Sequence, residues 1–289
     1  MKYGFYLPFS GGFDSTYELL EIIKEAEQKN IHTEDYDIHL LSIMPTFTYN
    51  KHGRESDARD GVLKYIQDRY PEVNIICESV LLNTTNFSIH YSGGMPLQPI
   101  YANLAALQVD VNKYDKIEVI FSFITGDQIC AYQDEIESIT MNTIKLVNLS
   151  KTKKEIEKKA RVTFPLVTKW KEKILHDMIM NHPKLVDICT TCEGASIGED
   201  NCGNCVPCDC LRSSLINLYI DRKEPEIVRD TAYRLLKERF MKTDVDERES
   251  EKIVVDLMTL ESKEYKFFQK KKTKNGTIGY FFKPIKEGK

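Results

Sequence analysis

Apolar runs of strand character alternate with amphipathic stretches of helical period through residues 3–180. Tyr3–Phe9 is a continuous apolar run and predicts a buried first strand. Tyr17–Ile23 places its apolar residues at helical spacing. Asp37–Phe47 reads as a second buried strand, Ser56–Tyr70 as an amphipathic helix and Asn74–Leu82 as a third strand. Leu97–Tyr114 carries small and apolar residues at helical spacing, and Lys116–Ile124 is the fourth strand. Asp134–Val147 predicts a helix, Val162–Leu166 a short strand and Lys171–Met180 another helix. Lys151–Arg161, mostly Lys and Glu, predicts a solvated helix or loop. This alternation implies an α/β fold: a doubly wound parallel sheet with helices on both faces. Ligands of such sheets lie outside the carboxyl ends of the strands.

From about Arg212 the pattern changes. Ser213–Tyr219, Glu224–Phe240 (with Pro225 near its first turn) and Asp244–Leu260 read as helices. The stretch Glu264–Pro284 predicts a β-hairpin: two aromatic runs, Tyr265–Phe268 and Ile278–Phe282, flank the turn signal Asn275-Gly276. Lys270, Lys271, Lys272 and Lys274 make that hairpin basic, which suits a solubilised exposed edge or a grip on an acidic partner. The pattern divides the chain into residues 1–188, a cysteine-rich segment 189–212, and a helical extension 213–289 ending in the hairpin.

Composition narrows the function classes. Apolar content of 42% and charged content of 29% are those of a soluble globular chain. A net charge of −4 argues against a surface that coats nucleic acid, so nucleic acid is not expected as the main partner. No segment reaches about 18 uninterrupted apolar residues, so no membrane span is expected. The N-terminus starts on a strand without a signal-peptide pattern. Six of the eight cysteines lie between Cys189 and Cys210, which in a chain of this length points to metal and a reducing cytoplasm, not to disulfides.

The first candidate site is the turn between the opening strand and the first helix, Ser10-Gly11-Gly12-Phe13-Asp14-Ser15-Thr16. Strand, Gly/Ser turn and helix together place backbone N–H groups and a helix N-terminus around a phosphate. The glycines allow close approach of the backbone, the Ser10, Ser15 and Thr16 hydroxyls donate to phosphate oxygens, and Asp14 makes sense in an anion site if it holds Mg²⁺. There is no Walker pattern. The turn resembles the pyrophosphate loop (PP-loop) of the ATP pyrophosphatases, which implies an adenine nucleotide α-hydrolase-like fold. It also implies ATP as cosubstrate, cleavage between the α- and β-phosphates, and adenylation of a substrate.

The second candidate site is the cysteine cluster. Four thiolates suit a tetrahedral zinc, and Cys192, Cys202, Cys205 and Cys208 are the best four; Cys189 and Cys210 are spare or exchange with a neighbour. An iron–sulfur cluster uses the same residue type. With no histidine among the candidates, the role expected of a Zn²⁺ here is structural. The histidines, His32, His39, His52, His90, His176 and His182, are scattered, and none is placed as a general base.

The loop and the spacing Cys-x₉-Cys-Gly-x-Cys-x₂-Cys together resemble 7-cyano-7-deazaguanine synthase, an enzyme of the queuosine-precursor pathway, over roughly residues 1–212. A third match is Phe164-Pro165-Leu166-Val167-Thr168-Lys169-Trp170-Lys171, where the family carries a Pro-Leu pair and a lysine six residues beyond the proline. The resemblance implies an ATP-dependent C–N ligase. It adenylates a carboxylate on a 7-carboxy-7-deazaguanine-like substrate and passes it to nitrogen, with Mg²⁺, a structural Zn²⁺ and a homodimer. It assigns Asp14 and Lys171 to catalysis. Residues Ser10–Thr16 and the end of the second strand, Ser42, Ile43 and Met44, would bind ATP. Asn103 and Asp127 would contact the deazaguanine.

Two departures bear on the substrate. Ala102 stands where the family has an arginine before Asn103, and Gly126–Glu135 lacks the family's Ser-Gly-Tyr run and arginine. A relative in antiphage defence that joins a deazaguanine to a protein amine fits this altered wall together with the basic hairpin. A tRNA-modifying enzyme of the same class and a non-catalytic nucleotide-sensing scaffold are the other readings.

Overall fold

The computed structural model describes residues 1–45, 49–82, 98–192, 205–240, 265–272 and 278–284. It divides into two compact units, Met1–Thr191 and Cys192–Lys289.

The first unit is built on a five-stranded sheet of order β3-β2-β1-β4-β5, parallel throughout. Its strands are β1 (Tyr3–Pro8), β2 (Tyr36–Pro45), β3 (Ile75–Leu82), β4 (Lys116–Ile120) and β5 (Ala160–Thr163). The crossovers carry α1 (Phe13–Gln28), α2 (Tyr49–Arg69), α3 (Gln98–Leu107), and then α4 (Gln133–Val147) with α5 (Lys153–Lys159). After β5 follow α6 (Lys171–Asn181) and α7 (Pro183–Ile188). Strand order reverses at β1: the chain moves outward through β2 and β3, then returns to β4 on the other side. A crevice opens at such a reversal, outside the carboxyl ends of the strands.

Alternation along each strand feeds two apolar layers. Tyr6, Leu41, Ile117, Val119, Ala160 and Val162 pack with Ala102, Ala105 and Ala106 of α3, Ile136 and Ile144 of α4 and Ile156 of α5. Residues of the other parity on β1, Phe5 and Leu7, are paired in register with Ile38 and Leu40. Helix α1 lies against β1 and α6, and buries Leu19, Ile22 and Ile23. The amino edge is closed by polar contacts. Asp37 accepts from Tyr114 Oη at 2.6 Å and Asn74 Nδ2 at 2.7 Å, and His39 Nε2 lies 2.6 Å from the same Tyr114 hydroxyl. Burial pushes His39 down to about 4, so the ring is neutral and structural. A cleft of about 290 Å³, lined by Tyr3, Lys116, Glu118, Lys158 and Arg161 among others, also lies at this amino edge, away from the loop.

Several element boundaries differ from the sequence pattern. The helix expected over 97–114 ends at Leu107, because the Asp110 carboxylate takes the Asn112 N–H at 2.8 Å and turns the chain. The fourth strand ends at Ile120, not 124; one further bond, Phe121 N–H to Thr163 O, precedes the departure of the chain from the sheet. The fifth strand starts earlier and stops before Pro165, which has no N–H for a ladder. Within 151–161 the Thr152–Glu155 capping box starts α5, Ile156 is buried, and Ala160 and Arg161 belong to β5.

In the second unit α8 (Val206–Ile220), with Pro207 in its first turn, packs on α9 (Glu226–Phe240). Strands β6 (Tyr265–Lys272) and β7 (Ile278–Pro284) pair antiparallel, with a bulge between Phe267 and Gln269. The expected helix 244–260, the Asn275-Gly276 turn and Lys274 lie outside the described residues.

Candidate active site

The residues from Phe9 to Thr16 leave the carboxyl end of β1 and enter α1. Phe9 N–H still bonds Leu41 O at 2.8 Å, so the turn begins level with the end of β2. Gly11 has φ +75°, a conformation that L side chains rarely adopt, and a Cβ there would meet Arg59 N at 2.8 Å. A Cβ on Gly12 would meet Thr190 O at 3.0 Å, and Thr190 N–H donates back to Gly11 O at 3.3 Å. The turn is thus held between α2 and the segment after α7.

Its hydroxyls stabilise the bend. Ser10 Oγ accepts from Gly12 N–H at 3.2 Å and lies 3.3 Å from Ser15 Oγ. Ser15 Oγ is 3.3 Å from Gly12 O, and Ser10 N–H reaches Ser15 Oγ at 3.4 Å. The first intrahelical bond is Thr16 N–H to Gly12 O at 3.0 Å, so the positive end of the α1 dipole faces the turn. Thr16 Oγ1 is buried without a hydrogen-bond partner. The Phe13 side chain is core, with the Lys171 ammonium 5.7 Å from its ring centroid.

Lys171 opens α6 and is only 5% exposed. Its Nζ lies 2.6 Å from both carboxylate oxygens of Asp14. The chain after β4 delivers Asp127 to the same place. Burial pushes the Asp127 carboxyl up; the bond from Ile124 N–H, at 2.9 Å, opposes this, the Asp14 charge adds to the rise, and Lys171 pulls it down. The loops after β4 and β5 are locked together. Thr125 N–H donates to Lys169 O at 2.9 Å, and Thr125 Oγ1 donates to Val167 O at 2.8 Å. Asp14, Lys171 and Asp127 therefore form one charged cluster beside the β1–β4 reversal.

The residues expected at the adenine lie at the extended end of β2. Ser42 Oγ donates to Phe9 O at 3.1 Å, Ile43 packs partly into the α3–α4 layer, and Met44 Sδ lies 3.7 Å from Arg59 Nη2. Asn103 sits elsewhere: its Nδ2 donates to Pro99 O at 2.9 Å and its Oδ1 accepts from Thr143 Oγ1 at 2.5 Å, which engages the amide between α3 and α4.

Two residues of this edge carry no signal in the sequence pattern. Arg59 is buried beside the loop. Trp170, the single tryptophan of the chain, is 60% exposed with its ring 3.8 Å from the position of a Gly126 Cβ. Trp170 precedes Lys171 directly, so the matching Pro-Leu segment places it at the rim; nothing in the spacing marks it as an exposed ring.

In the second unit the Sγ atoms of Cys192, Cys205 and Cys208 all lie within 4.8 Å of one another. Cys205 and Cys192 sulfurs are 4.0 Å apart. Packed against both, the Cys208 thiol is pushed well up, because three thiolates do not share this volume without a cation. The donor set fits a thiophilic metal. Cys202 lies outside the described residues. Among the described residues no helix is long and apolar enough to cross a membrane.

No protein-family model and no curated protein matches the chain. Among solved structures it is similar to the U34-tRNA thiolase NcsA from Methanococcus maripaludis with its [4Fe-4S] cluster, at 13% identity and a TM-score of 0.38. The match covers 85% of this chain and 76% of that one.

Proposed function

We propose that the chain is an ATP-dependent C–N ligase of the PP-loop class, which adenylates a carboxylate and transfers the acyl group to nitrogen. The observation that supports it best is the Asp14–Lys171 pair at the mouth of the Ser10–Thr16 turn. An ammonium and a helix N-terminus converge there on a cradle with an orphaned hydroxyl, Thr16 Oγ1. In this reading the turn binds the β- and γ-phosphates. Lys171 neutralises charge as the bond between the α-phosphorus and the bridging oxygen breaks. The carboxylate oxygen of the substrate attacks the α-phosphorus and pyrophosphate leaves. An amine nitrogen then attacks the acyl carbon, and AMP leaves with the C–O electron pair. Positioning carries most of the acceleration.

The carboxylate of Asp14 fits Mg²⁺, a hard cation that takes one or two carboxylates plus phosphate oxygens. When bound, Mg²⁺ would supply further neutralisation of the phosphates. Cys192, Cys205 and Cys208, joined by Cys202, would hold a structural Zn²⁺.

The substrate class proposed is a 7-carboxy-7-deazaguanine-like carboxylate. Asp127 is a carboxylate suited to accept from ring N–H and amino groups, and the exposed Trp170 ring gives a heterocycle a face to stack on. Ala102 is fully buried in the α3 layer, so this position does not line a substrate wall; the altered Gly126–Glu135 segment is what favours a protein amine in place of ammonia. The test is incubation with ATP, Mg²⁺ and 7-carboxy-7-deazaguanine, scored for AMP and pyrophosphate. A free amide or nitrile supports ammonia as acceptor, and a mass increment on a co-expressed protein supports an amine of that protein. If neither AMP nor pyrophosphate forms with any acceptor, the proposal fails.

A further inference from the structure

Arg59 is 7% exposed, and among the described residues no other arginine is buried to this extent. Its backbone N and its Cγ lie 2.8 and 3.1 Å from the position of a Gly11 Cβ, so the side chain sets out from against the phosphate turn. Its far end reaches Met44 Sδ, at the carboxyl end of β2, with Nη2 at 3.7 Å. A thioether is a weak acceptor, and a guanidinium has five donors to satisfy. Among the described residues no carboxylate lies within ion-pair distance of Arg59, and the acid of the turn, Asp14, is held by Lys171 on both oxygens.

A permanently charged group removed from water and left without an anion is costly. Arginine cannot relieve that cost by losing its proton. A buried guanidinium with no carboxylate partner among the described residues, spanning from the turn to the end of the neighbouring strand, is therefore organised for an anion that arrives from outside. Its planar fork matches two oxygens of one phosphoryl group.

We propose that Arg59 is an anion-binding residue. It grips non-bridging phosphate oxygens of the bound nucleotide on the nucleoside side of the turn, between Gly11 and Met44. The inference rests on the reading of the turn as an ATP site, and goes beyond it by assigning a second, separate phosphate contact. Arg59 runs from Gly11 to Met44 at the end of β2, whereas Lys171 is held on Asp14 at the start of α1, so the two groups are assigned to different phosphates. The turn and Lys171 hold the leaving pyrophosphate; Arg59 holds the phosphoryl group that stays with the nucleoside.

The test compares wild type, Arg59→Met and Arg59→Lys in calorimetric titrations with ATP plus Mg²⁺, AMP and inorganic pyrophosphate, beside thermal unfolding of the ligand-free proteins. Arg59→Met is expected to weaken ATP and AMP by about 10- to 100-fold, the range for a hydrogen bond to a charged group, and to leave pyrophosphate within twofold. Arg59→Lys keeps the charge without the fork and is expected to fall between the two. Ligand-free Arg59→Met is expected to melt at or above the wild-type temperature, since an unpaired buried charge has gone. Wild type that fails to bind ATP sinks the ATP site and this inference together. Wild type that binds, with Arg59→Met and Arg59→Lys binding equally well, sinks the inference alone. So does a loss of pyrophosphate affinity equal to that of ATP, or a marked drop in the melting temperature of ligand-free Arg59→Met, which would make the arginine a structural ion-pair partner.

Discussion

Glu18 gives the sharpest energetic prediction. It lies one turn beyond Asp14 on α1, 2% exposed, with Oε2 unpartnered. Burial is the main cause that pushes its carboxyl up to about 8, from an ordinary value of 4.5. Lys169 pulls it down, while Glu21, Glu118 and Glu25 add to the rise. Lys169 Nζ spends its hydrogen bonds on Glu21 Oε2 and Tyr17 Oη, at 3.1 and 3.0 Å, so it does not reach Glu18 directly. Between pH 4.5 and 8 the native carboxyl keeps a proton that the unfolded chain has lost, so stability falls as pH rises through that window. A shift of this size corresponds to at most about 5 kcal/mol at the alkaline end. Glu18→Gln keeps the shape and cannot ionise. It should match wild type near pH 5 and exceed it by several kcal/mol at pH 8. Urea unfolding followed by the fluorescence of Trp170, which lies in the same unit, measures the difference at each pH. A gap between the two proteins that stays constant from pH 5 to 8 would refute the reasoning.

Other outcomes follow from the same geometry. Gly11→Ala forces a left-handed alanine, costing about 1–2 kcal/mol, and drives its Cβ to 2.8 Å from Arg59 N. A total loss above about 2 kcal/mol is expected in urea unfolding, and a loss below about 0.5 kcal/mol would contradict the close packing of the turn. Lys171→Met should lower the rate of pyrophosphate release by about 10²–10³-fold, the usual effect of removing one charge-stabilising donor, with circular dichroism unchanged; a rate within threefold of wild type counts against its role. Cys205→Ser and Cys208→Ser should each reduce metal from one ion per chain to well below that by elemental analysis. Full retention in both would place the metal, if any, on other cysteines.

The strand–turn–helix geometry of Ser10–Thr16 was legible because it is local: one strand, one Gly-Gly bend and one helix within a short stretch. The parallel sheet was legible for the same reason, since continuous apolar strands alternate with amphipathic helices. Lys171 and Asp127, which the family resemblance singled out, do come together with Asp14 in one charged cluster. Arg59 was not legible. It lies on a polar helix, α2, among Glu55, Asp57 and Asp60, where a charged residue reads as solvent-facing; only the close approach of α2 to Gly11 buries it. Asn103 illustrates the converse. The family resemblance assigned it to a ligand; in the structure its amide bonds Pro99 O and Thr143 Oγ1, between α3 and α4. The end of β4 was misjudged because the segment beyond it is organised by local bonds, such as that from Ile124 N–H to Asp127, and not by the sheet ladder.

The grip of Lys171 on both oxygens of Asp14 has a consequence for the order of events at this edge. Lys171 gives the Asp14 carboxylate its own counterion within the protein, so on the proposed ATP reading the acid would not repel incoming phosphates. In that reading a divalent ion that claims this acid would have to displace the ammonium, which would then be available to the negative charge that travels with the ion. If the proposed ATP site is correct, capture of metal and of nucleotide should therefore be one coupled exchange of partners, each weak alone.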